Sequence, residues 1–119
     1  MPANDKYEAI LAKQLAMNTA TWAQLERHGV KPDSELQLDF TYYAPSKEKA
    51  EKLKAVLSEY EYAVTLKKLG LLPWSKWLVS GRTGKTTLTL EKLNQWVLWM
   101  VTAGKESESE FDGWGAEIP

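Results

Sequence analysis

The sequence predicts an α+β fold: a four-stranded antiparallel sheet covered on one face by two helices and preceded by a further helix. Three observations predict it. The spacing of apolar residues switches repeatedly between a helical period of three to four and a strand period of two. Glycine, proline or a capping side chain stands at most of the switches. The 119 residues, 44% hydrophobic and 26% charged, have the composition of one soluble globular domain, long enough to bury about two-thirds of its unfolded surface.

Between residues 6 and 28, Tyr7, Ile10, Leu11, Leu15, Trp22 and Leu25 recur at mostly helical steps, with Lys13, Gln14, Gln24 and Glu26 off the stripe. Asn4 and Asp5 are candidate N-caps, His28-Gly29 is the expected stop, and Pro32 prevents continuation. Asn18 and Thr19 interrupt the stripe and mark a bend or a polar contact. The stripe can close on the chain's own sheet or on a second chain. Over residues 35–43 the period becomes two, with Leu36, Leu38, Phe40 and Tyr42 on the buried face and Gln37, Asp39, Thr41 and Tyr43 outward.

Ala44-Pro45-Ser46 breaks this strand and Ser46 caps a second helix marked by Ala50, Leu53, Val56, Leu57 and Tyr60. Tyr62, Val64 and Leu66 alternate as a second strand, residues 69–73 connect, and residues 74–80 form a third strand with Trp77 and Val79 on one face. Residues 81–87 read as a polar, basic, hairpin-like loop. Thr89 caps a third helix that Gly104 is expected to end, lined by Leu93, Trp96, Val97, Met100 and Val101. Residues 105–110 read as an exposed loop and residues 111–118 as the last strand. After the leading helix the order is βαββαβ, the split βαβ or ferredoxin-like plan. The organisation expected is a helix and connection over residues 1–34 followed by the ferredoxin-like unit over 35–119, together one compact domain.

The chemistry available is narrow. Without cysteine there is no thiol nucleophile, disulfide or thiolate metal site, and one histidine, His28, nearly excludes a His-based zinc site. Gly84-Lys85-Thr86 has the ending of a phosphate loop, but the residue five before Gly84 is Val79 in a strand, where the motif requires glycine. No pair of carboxylates is spaced across a substrate. The expectation is no enzyme, no cofactor and no metal. The 15 basic and 16 acidic residues leave a net charge of -1, and neither central strand has an RNP-type aromatic-glycine pattern, so direct nucleic-acid binding is not expected. The opening residues lack the apolar core of a signal peptide, and the apolar run over 96–101 is too short to span a bilayer. A cytoplasmic protein is expected.

Charge is nonetheless uneven. Lys67, Lys68, Lys76, Arg82 and Lys85 occupy a segment without an acid, whereas Glu106, Glu108, Glu110, Asp112 and Glu117 face only Lys105 in theirs. The acidic segment runs into Phe111-Asp112-Gly113-Trp114-Gly115, where two glycines can aim the indole inward as a plug or outward as an anchor. Two such patches of opposite charge can attract each other within the fold, or one can steer an oppositely charged partner.

Asp39-Phe40-Thr41-Tyr42-Tyr43-Ala44-Pro45-Ser46 with Ala50 and Leu53, the Trp77-containing strand, and Phe111-Asp112-Gly113-Trp114-Gly115 together resemble the regulators of ribonuclease E activity B, the RraB family, over residues 36–118. These motifs are mostly structural. The resemblance implies a small cytoplasmic, non-catalytic protein that binds ribonuclease E or a related endoribonuclease and inhibits RNA cleavage. A partner that handles RNA is expected to be basic, which makes the acidic rim of Glu106, Glu108, Glu110 and Asp112 beside Trp114 the candidate partner-binding residues. The alternative is an orphan module of the same fold that self-associates, as a homo-oligomer, or binds a small ligand through its leading helix or open sheet face.

Overall fold

The computed structural model describes residues 4–32 and 34–116, with the side chains of residues 4 and 5 left out. Helix α1 spans Asn4–Arg27, β1 Glu35–Leu36, β2 Leu38–Ala44, α2 Lys47–Ser58, β3 Ala63–Lys68, β4 Trp77–Arg82, β5 Thr86–Thr87, α3 Leu90–Glu106 and β6 Glu110–Ala116. The four long strands form one antiparallel sheet in the order β3-β4-β2-β6, which is the strand order of the split βαβ plan. Among the described residues no helix is long and apolar enough to cross a membrane.

The central strand β2 alternates as its sequence requires. Leu38, Phe40, Tyr42 and Ala44 are buried and Asp39, Thr41 and Tyr43 lie on the open face. Leu53 and Leu57 of α2 and Leu93, Val97 and Met100 of α3 close over the buried side. Trp96 is half-buried and donates its indole hydrogen to the Tyr62 hydroxyl at 3.1 Å. Tyr62, Val64 and Leu66 are also half-buried, since β3 and the residue before it lie at an edge of the sheet. Ser46 and Thr89 cap α2 and α3, accepting the amide hydrogens of Lys49 and Lys92, both at 3.2 Å.

Helix α1 packs on α3 and the β6 edge of its own chain. It closes with the Val30 amide donating to the Leu25 carbonyl and Gly29 to Glu26, while Gly29 takes φ +95°. That is the six-to-one and five-to-two pairing that favours glycine at this position, and buried Leu25 and Val30 supply its hydrophobic contact. Its other end differs from expectation. The helix already includes Asn4 and Asp5, so neither stands outside it as a cap. Gln14, expected off the stripe, is buried, as is Asn18, so the middle of the buried face is polar.

Other boundaries move for tertiary reasons. The first strand divides at Gln37: Glu35 and Leu36 pair with Thr87 and Thr86 in a separate two-residue ribbon. The expected loop 81–87 is therefore largely structured. Arg82 continues β4, and the buried Thr83 hydroxyl accepts from the Leu38 amide at 3.0 Å. The third strand begins at Trp77, with Trp74 left in the preceding turn, and Tyr60 falls beyond the end of α2. Helix α3 does not stop at Gly104. A Cβ there would come within 2.8 Å of both the Ser109 carbonyl and Tyr42 Cε2, so this glycine permits close approach within a continuing helix. Of the expected last strand, Glu117 and Ile118 lie outside the described residues.

Candidate functional site

The acidic segment is a closed turn anchored to the core. After α3 the Ser109 amide donates to the Gly104 carbonyl at 2.8 Å and Glu108 to Lys105 at 3.0 Å, repeating the closure seen at α1. Here the left-handed position is taken by Glu108 at φ +53°. The turn alternates: Ser107 and Ser109 are buried, whereas Glu106 and Glu108 are exposed and Glu110 is half-exposed. The expected exposed loop is thus a turn with one side in the core, and its serines are the buried side.

Lysines from two helices meet the acidic side. Lys49 of α2 lies 2.7 Å from Glu108, Lys6 of α1 lies 3.0 Å from Glu110, and Lys52 donates to the Glu106 carbonyl at 3.1 Å. The hydrogen bond from Lys49 holds the Glu108 carboxyl below the usual carboxylate range and raises Lys49 in turn. The hydrogen bond to Glu110 likewise raises Lys6, while burial raises the neighbouring Tyr7 phenol. Beneath the turn, Tyr42 donates to the Met100 carbonyl at 2.6 Å and meets the Phe111 ring edge-on at 5.2 Å; burial pushes its phenol far up.

Trp114 takes the inward orientation. It sits opposite Phe40, half-buried against the core, and donates its indole hydrogen to Asn18 Oδ1 at 2.7 Å. Asn18, fully buried, donates a hydrogen bond from its own side-chain amide to Asn94 Oδ1 at 2.9 Å. This chain of two hydrogen bonds ties α1, α3 and β6 together. The ladder slips between Thr41 and Tyr42, so Asp112 is left as an unpaired, exposed bulge residue. Between α1 and the open sheet face runs a groove of about 290 Å³, bordered by Gln14, Met17, Asp39, Asp112 and Trp114. Asp39 is held by Arg82 at 2.6 Å on one wall.

The structure therefore brings Glu106, Glu108 and Glu110 onto one turn, sets Asp112 at the adjoining groove, and places Trp114 within that groove's lining. Nothing local in the sequence marks Lys6, Lys49 or Lys52, whose contacts are tertiary, and Gln14 is marked only by its position between Leu11 and Asn18 on the stripe. Among the described residues no group of three or more His, Asp or Glu is placed to hold a metal ion.

Residues 15–116 match the family model described as regulator of ribonuclease activity B, RraB. The match begins in the middle of α1, earlier than the motif-based resemblance, and takes in the acidic turn, Asn18 and Trp114. No curated protein matches the chain.

Proposed function

The chain belongs to the RraB family, regulators of ribonuclease activity, and from that premise we propose that it is a non-catalytic, cytoplasmic inhibitor that binds ribonuclease E and restrains RNA cleavage by covering protein surface. Family membership over residues 15–116 is the observation that carries this reading. The docking surface in this proposal is the acidic turn of Glu106, Glu108 and Glu110 with Asp112 at its side and Trp114 in the adjoining groove. A partner that handles RNA presents basic surface, and opposite charge accelerates encounter. The bridging lysines make this surface conditional: a basic partner segment must compete with Lys6 and Lys49 for the same carboxylates.

The test is association of the full chain with a purified ribonuclease E fragment, followed at several salt concentrations. Reversing Glu106, Glu108 and Glu110 to lysine should slow association and flatten its salt dependence, with only a small loss of thermal stability because ion pairs standing largely in solvent contribute little to folding. No binding of the unaltered chain would remove ribonuclease E as partner. An unaltered on-rate at low salt in the variant would remove only the acidic turn and leave the open sheet face around Asp39 and Tyr43 as the alternative.

A second reading, self-association, is favoured by the apolar groove between α1 and α3, where Leu11, Leu15 and Leu90 border half-exposed Leu98. Light scattering over a concentration series tests it: a chain that stays monomeric, or a dimer that persists in Leu98→Glu, would overturn it.

A further inference from the structure

We propose that the turn joining β3 to β4 is a docking surface for an anionic lipid bilayer. Residues 69–76 carry Leu69, Leu71, Leu72 and Trp74 into solvent, with Leu71 99% and Trp74 73% exposed. Four large apolar side chains are thus exposed within six residues of one turn, a concentration that soluble surfaces usually avoid without an interaction to justify it. The turn is built: the Leu69 amide donates to the Lys76 carbonyl at 2.9 Å and Ser75 to Leu72 at 3.0 Å.

Along the sequence the charge of this segment has one sign, and across the sheet Lys76 alone of its lysines borders a groove that also holds Glu110 and Asp112. Lys67 and Lys68 precede the turn, Lys76 ends it, and no acidic residue occurs from residue 62 to residue 90. Among the described residues no carboxylate pairs with these three lysines. The acidic turn lies at the same end of the sheet, since Trp77 pairs with Ala44 and Glu110 with Tyr43. Its Glu108 and Glu110 are held by Lys49 and Lys6, which weakens their opposition to the lysine field.

The shape decides between acceptors. Interface anchors for a protein partner are held in packed, complementary pockets. Leu71 leans on almost nothing of its own chain, so a protein pocket would have to fix a side chain that this fold leaves unfixed. Fluid hydrocarbon takes apolar side chains without shape matching, an indole suits the headgroup level, and ammonium groups meet anionic headgroups. An exposed apolar turn flanked in sequence by Lys67, Lys68 and Lys76 suits lying on a membrane rather than crossing it. This inference uses different residues from the proposed ribonuclease surface and stands or falls separately.

The experiment is co-sedimentation of the full chain with vesicles of phosphatidylcholine alone and of phosphatidylcholine mixed with phosphatidylglycerol. Binding is expected to the mixed vesicles, weakening with salt, and not to phosphatidylcholine alone. Replacing Leu71, Leu72 and Trp74 together by serine should reduce vesicle affinity at least about tenfold, as should Lys67→Glu with Lys68→Glu and Lys76→Glu. Unfolding curves of both variants confirm that the fold is retained. Failure to bind the mixed vesicles, or binding that the serine variant leaves unchanged, would overturn the proposal. It is also overturned if the serine variant loses a ribonuclease fragment while vesicles never bind, because the turn then serves a protein partner.

Discussion

Two turns at the same end of the sheet, about 10 to 15 Å apart across the intervening strands, carry opposite charge and are built in opposite ways. The acidic turn before β6 buries every second side chain, rests on Tyr42 and Phe111, and has lysines from α1 and α2 on its carboxylates. The turn after β3 has hydrogen bonds only within itself, its leucines exposed and its lysines without acidic partners among the described residues. In sequence both look like solvated charge runs. A charge run declares its sign locally, whereas its availability to a partner depends on side chains brought from elsewhere.

The contrast is broken most severely at Phe111. Its ring is buried beneath the acidic turn against Tyr42 and Trp96, so Phe111→Ala should cost about 3–5 kcal/mol, read as a lowered urea midpoint. Leu71→Ala in the other turn should stay within about 0.5 kcal/mol of the original chain, because the side chain removed is already in water. Equal losses at the two sites would show that the turns are anchored alike. A smaller effect is expected for Gly104→Ala, about 1–3 kcal/mol, since one of the atoms its Cβ meets at 2.8 Å is backbone and the other belongs to a packed ring. If Gly104→Ala is instead stabilising, as it would be at an unobstructed helical position, the turn does not close on α3 as described.

The same contrast separates what the sequence made legible from what it did not. Strand β2 was readable because its strict alternation is matched by one buried face, and α2 and α3 because Ser46 and Thr89 have the side chains that caps require. The end of α1 was readable since glycine occupies the left-handed position. The end of α3 was not, although it uses the same pairing: Glu108 stands where glycine is usual, and Gly104 carried a stop signal whose actual cause is contact with Tyr42. For the candidate site, the glutamates and Trp114 were visible as unusual local sequence. Their partners were not, because Lys6, Lys49 and Asn18 reach them from other elements and no local pattern encodes those meetings. Asn18 did announce itself as a polar residue on an apolar stripe, and the structure gives that polarity a use in holding Trp114.

The smallest expected effect concerns the Lys49–Glu108 pair, and pH isolates it. The hydrogen bond from Lys49 keeps the folded-state pKa of Glu108 below its ordinary value of 4.5. A depressed carboxyl contributes stability that is present above the ordinary value and is lost as pH falls through the lowered one, since protonation removes the charge that Lys49 meets. On the alkaline side the raised pKa of Lys49 acts in the opposite sense: its share is present below 10.5 and disappears as pH rises through the higher folded-state value. The pair's contribution should therefore form a plateau between those limits and shrink in high salt, because both groups stand in solvent. Glu108→Gln is the suitable variant, because it removes the charge while leaving a non-glycine residue in the same left-handed conformation. Urea midpoints of the two chains should differ slightly near neutral pH and converge in acid. A difference that persists unchanged below the carboxylate range would mean that Glu108 holds the turn by its shape rather than by its charge.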